Sequence, residues 1–91
     1  MVSEAESGTA GKDLGRALEH LAAGQWQPAH EIVQGDSSKL ASWLHGIVHL
    51  LEGDLDNARG WYKRAERDFP GGDAAPAEIA AAREAMGGAR S

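Results

Sequence analysis

The chain has 91 residues, a formal net charge of −5, a pI near 5.2 and no cysteine. That length makes one small domain, burying roughly 60–65% of the surface it exposes when unfolded. The acidic balance argues against a phosphate-backbone binder, the missing thiols exclude a disulfide framework or thiolate zinc site, and no apolar run approaches the ~20 residues of a membrane span.

Residues 1–11 are small, polar and Gly/Ser-rich, with Glu4 and Glu6 and no apolar core of a secretory leader. They read as a disordered tail before a single domain over residues 12–86, with 87–91 frayed. The whole reads as a cytoplasmic protein. A first helix is expected from Asp13 to Ala23, with Leu14, Ala17, Leu18 and Leu21 at helical spacing and Gly24 as a left-handed stop. A second runs from Trp26 to Val33 and tolerates Pro28 in its first turn. The segment Gln34 to Ser38 (QGDSS) has N-cap chemistry.

The third helix is expected over Lys39 to Glu52. Leu40, Trp43, Leu44, Ile47, Leu50 and Leu51 form an apolar stripe wider than one partner helix needs. Gly53-Asp54 breaks it, and Asp54 or Asp56 caps a fourth helix over Leu55 to Asp68. Phe69-Pro70 ends that helix, because Pro disfavours helix at the residue before it. A last helix runs from Asp73 or Ala74 to Met86, with Ile79, Ala82 and Met86 as a thin apolar stripe.

A shift of 29 residues lays the first hairpin on the second. Leu14 meets Trp43, Leu18 meets Ile47, Leu21 meets Leu50, His20 meets His49, Gly24 meets Gly53 and Ala29 meets Ala58. Gly46, Ala58, Tyr62, Ala65 and Pro70 also stand at tetratricopeptide offsets. The small residues let two antiparallel helices approach closely. The chain thus resembles the tetratricopeptide family, most strongly in the second unit's second helix. It departs at Ser42, where the family places Trp, and at His45 and His49, where it places Leu and Tyr. The resemblance implies an all-α, right-handed stack of two helical hairpins plus a C-terminal capping helix.

A longer run, Ala29 to Gln34 (AHEIVQ) and then Trp43 to Ala65, resembles a family of small uncharacterised microbial proteins. Their signature is Ala-His-Glu followed by Trp-x-His-x₃-His-x₂-Glu-Gly-Asp-x₂-Asn-Ala-x₂-Trp-Tyr-x-Arg-Ala. The matching polar residues here include His30, Glu31, His45, His49, Glu52, Asp54, Asn57 and Arg64. This resemblance implies no particular activity.

Two kinds of site follow. His45, His49 and Glu52 sit at i, i+4 and i+7, within about 60° on one helix face. With His30 and Glu31 from the neighbouring helix they form a candidate site for zinc or another divalent metal. The structural alternative is a set of half-buried histidines bonded to Asn57, Tyr62 or backbone carbonyls, with no cofactor. His20, the repeat counterpart of His49, is expected near His30. The second kind of site is an apolar groove at Leu40, Trp43, Ile47 and Leu50 for a protein segment, or a homodimer contact over the same face. Ser42 lies one turn before His45, but no orienting group or oxyanion hole accompanies it, so an enzyme is not expected. Glu52, Asp54 and Asp56 read as capping chemistry, and Lys63, Arg64 and Arg67 as a solvated face suited to a helix C-terminus. The sequence favours a non-catalytic interaction module, with a small metal-binding protein or metalloenzyme as the alternative.

Overall fold

The computed structural model describes residues 13–87. The expected tail over 1–11 and the residues 88–91 lie outside them. The described chain is all-helical: α1 (13–22), α2 (Trp26–Val33), α3 (Lys39–Glu52), α4 (Leu55–Arg64) and α5 (Ala75–Ala85). α2 and α3 have the expected bounds.

α3 is the axis of the molecule. Every residue from Ala41 to Leu50 is buried, on all faces of the helix. α2, α4 and α5 each pack against it. The stripe that looked too wide for one partner is covered by several helices of the same chain. Leu14, Ala17, Leu18 and Leu21 of α1 join the same core, with Ala29, Val33, Ala58, Tyr62, Ile79 and Ala82.

The helix ends explain the turns. Ser38 caps α3 by accepting from the Ala41 N–H at 3.1 Å. Asp54 caps α4 by accepting from the Asn57 N–H. α1 and α3 close on Gly24 and Gly53, at φ 76° and 88°. After each, the Gln25 and Asp54 N–H groups reach back to the His20 and His49 carbonyls, at 2.8 and 2.9 Å. This is the Schellman closure, which needs a left-handed residue.

α4 departs from expectation. It ends at Arg64, four residues before Asp68. The same closure stops it: the Arg67 N–H bonds to the Tyr62 carbonyl and the Glu66 N–H to that of Lys63, both at 3.0 Å. The left-handed residue here is Glu66, at φ 61°, so the usual glycine signal is missing. The early exit lays the Arg67 guanidinium over the Trp43 ring at 3.5 Å and sets Phe69 edge-on to Tyr62.

Two contacts fix the second hairpin and the last helix. Gly46 lets α4 approach α3: a Cβ there would lie 2.5 Å from Tyr62 Cδ1. Glu78 of α5 accepts from Trp43 Nε1–H at 3.0 Å and from the Tyr62 hydroxyl at 2.7 Å, both on the same oxygen. Burial, with that hydrogen bond, raises the Tyr62 hydroxyl above its ordinary pKa.

The Gly46 approach makes a stability prediction. Gly46→Ala should destabilise the fold by about 1–3 kcal/mol, the usual cost of overpacking a core. Gly60→Ala, on the same hairpin but with open space around the new Cβ, should instead add about 0.5–1 kcal/mol through helix propensity. Urea denaturation of both variants checks this; equal effects would mean that the Gly46–Tyr62 contact carries no constraint.

Candidate metal centre

α3 presents His45 and His49 one turn apart, and α2 brings His30 against them. The three candidate ligand atoms, one per ring, all lie within 4.8 Å of one another. Ring centroids are 4.7 Å apart for His30–His45, 5.6 Å for His30–His49 and 5.1 Å for His45–His49. His45 and His49 are only 4% and 6% exposed, and His30 is half-buried. The cluster therefore sits at the edge of the core, open on the α2 side.

Each buried ring is held differently. His49 Nδ1 lies 2.7 Å from Glu52 Oε1. A carboxylate can only accept, so Nδ1 carries the proton and Nε2 keeps its lone pair while the ring is neutral. This carboxylate–imidazole pairing commonly orients a metal-ligating histidine. His45 stacks on Trp61 of α4, with centroids 3.7 Å apart and planes 9° from parallel. The Arg64 guanidinium lies over the same indole at 4.6 Å. Burial, then the neighbouring His30, His49 and Arg64, push the His45 imidazolium down to about 4. It is neutral at physiological pH, the form that binds metal. The hydrogen bonds found among the described residues engage neither the His30 nor the His45 ring.

The expected structural partners of the histidines are occupied elsewhere. Asn57 bonds to Asp54, and Tyr62 to Glu78. His20 bonds to Gln25 Oε1 at 2.9 Å and takes no part in the cluster, as does the exposed Glu31. Glu52 stands behind His49 rather than with all three rings. It forms a separate acidic group with His49 and Asp54, in which Asp54 already serves as the α4 cap. Ser42 is buried, and the hydrogen bonds found give its hydroxyl no histidine partner.

Three of the four groove residues lie in the chain's own core, and the fourth packs against it. Trp43, Ile47 and Leu50 are 4%, 0% and 5% exposed, and Leu40 is half-buried against the core. Lys63, Arg64 and Arg67 are exposed, as expected of a solvated face, and Arg64 and Arg67 also lie over the Trp61 and Trp43 rings. Sequence reasoning missed Trp61 as the wall of the histidine cluster and Glu78 as the partner of Trp43. Trp61 is three residues past Ala58 on the inner side of α4, which was a usable signal. Glu78 lies 35 residues from Trp43, and no spacing links them.

Against known proteins, the chain matches no family model, no curated sequence and no solved structure.

The lowered basicity of His45 has a pH consequence. The unfolded chain protonates this residue near pH 6.5 and the folded chain near 4. Between these values the unfolded state holds more protons, so stability falls as pH drops through the window. The loss from this one residue is roughly 2–3 kcal/mol. With chelator present, urea melts at pH 7 and 4.5 should therefore diverge less in His45→Leu than in the native chain. An unchanged divergence would assign the acid sensitivity to other groups.

Proposed function

We propose that the protein is a small metal-binding module that holds a divalent transition ion through His30, His45 and His49. The observation that carries this reading is the convergence of three imidazoles from two helices, their candidate ligand atoms all within 4.8 Å of one another. Tetrahedral zinc with ~2.0–2.1 Å bonds needs ligand nitrogens about 3.3 Å apart. Small ring rotations close that gap, and the half-buried His30 is the freest to make them. Nitrogen ligands without thiolate suit zinc, nickel or copper rather than a hard ion such as magnesium. Glu52 orients His49 from behind.

The helix order supports a tetratricopeptide-like stack of two hairpins with α5 as the terminal cap. The left-handed closures at Gly24 and Gly53 match the 29-residue repeat, and the Gly46–Tyr62 approach matches the second unit. A second reading keeps the interaction module, with α5 occupying the groove on α3. What favours it is the small side chains that α5 buries there, Ala75 and Ala82 beside Ile79, which a bulkier partner helix would outcompete. Among the described residues no helix is long and apolar enough to cross a membrane.

The metal reading is tested on untagged protein. One equivalent of zinc should be retained through desalting. At free zinc 100 times its Kd the fold should gain about 2.7 kcal/mol, lost again on adding a chelator. His49→Ala should weaken binding at least tenfold while the chain stays folded. A melting temperature indifferent to zinc and chelator would leave the three rings as packing.

A further inference from the structure

If the three histidines hold a metal, the cluster leaves one of its coordination positions unfilled by protein. The distances between candidate ligand atoms fall into two groups. His30, His45 and His49 form one group; Glu52 and Asp54 join His49 alone in another. No carboxylate among the described residues therefore comes as close to all three rings as they come to one another. Glu52 Oε1 is bonded to His49 Nδ1, the edge of the ring turned away from an Nε2-bound ion. His20 is held by Gln25. The chain has no cysteine to supply a thiolate.

Resting on the metal reading above, we infer that the centre is an open three-histidine site whose fourth ligand is an exchangeable water or small anion. Zinc sites with four protein ligands are structural, whereas three protein ligands plus an exogenous one is the arrangement of reactive sites. Charge selects the ligand class. Three neutral imidazoles bring no negative charge to the ion itself; Glu52 offsets part of its charge from behind His49, and the Arg64 guanidinium over Trp61 stands on the His45 side. A compact anion, such as azide, acetate or phosphate, is the species this field attracts. Access follows from burial. His45 and His49 are buried, His45 against Trp61, while His30 is half-buried, so the open position is placed on the His30 side.

The test uses the full chain loaded with cobalt(II), whose visible absorption reports coordination, and azide as the probe. Stoichiometric cobalt whose bands change saturably with azide, and revert on competition with acetate or phosphate, is the expected result. Bands indifferent to azide, with cobalt bound one to one, overturn the open position while leaving the metal site standing. No cobalt binding overturns both readings together. Glu52→Gln separates the remaining case. It should retain the cobalt bands and the azide response, with cobalt affinity lowered about 10-fold through loss of the orienting carboxylate. If only the Gln variant responds to azide, Glu52 was itself the fourth ligand and the inference fails.

Discussion

Ten consecutive residues of α3 lie out of water, and the rest of the structure answers to that constraint. A helix buried on every face satisfies its backbone internally but must find partners for each polar side chain. Ser42, Trp43, His45 and His49 all fall in the buried run. Trp43 is answered from α5 by Glu78, His49 from its own last turn by Glu52, and His45 by the flat face of Trp61. The short chain thus uses almost every helix to accommodate what α3 carries. Tyr62 shares Glu78 with Trp43, so the α4 side and the α5 side of the axis are joined through a single carboxylate oxygen.

The histidine cluster is accommodated differently: among the described residues no hydrogen bond engages the His30 or His45 ring, yet no fully buried side-chain nitrogen or oxygen is left without a partner. An imidazole ring offers two nitrogens, and packing against another ring satisfies neither. Lowering the basicity of His45 keeps a charge out of the core. Three imidazoles side by side, only His49 of them bonded to a carboxylate, bury less apolar surface than aliphatic residues of similar volume, which bring no polar atoms to satisfy. That contrast, rather than spacing on the helix, gives the cluster its functional interest.

Much of this was legible in the sequence, because the signals were local. Helical spacing, Ser38, Gly24, Gly53 and Asp54 set the bounds of α2 and α3, and the i, i+4 pair put His45 and His49 on one face. Two things were not legible. The end of α4 was hidden because Glu66 adopts a conformation normally advertised by glycine, and Pro70 stood downstream as a plausible stop. The fate of the apolar face was hidden because covering it depends on Glu78 finding Trp43 across a long stretch of chain. A stripe read from one helix gives the area to be buried, but not whether the cover comes from the same chain.

The order of the helices also bears on how the chain reaches this state. α2 and α4, which flank α3 in space, flank it in sequence as well. Contacts between neighbouring elements close short loops at small entropic cost, the condition for rapid assembly of helical domains. α5 is the exception. It must pass α4 and the Pro70-Gly71-Gly72 segment before Glu78 reaches Trp43 and Arg83 comes within 3.5 Å of Glu19 on α1. Docking α5 is the longest loop closure among these helix pairs, and the topology makes it the natural last step of folding. During synthesis, the α2–α3–α4 framework and its three histidines emerge from the ribosome before the helix that seals Trp43.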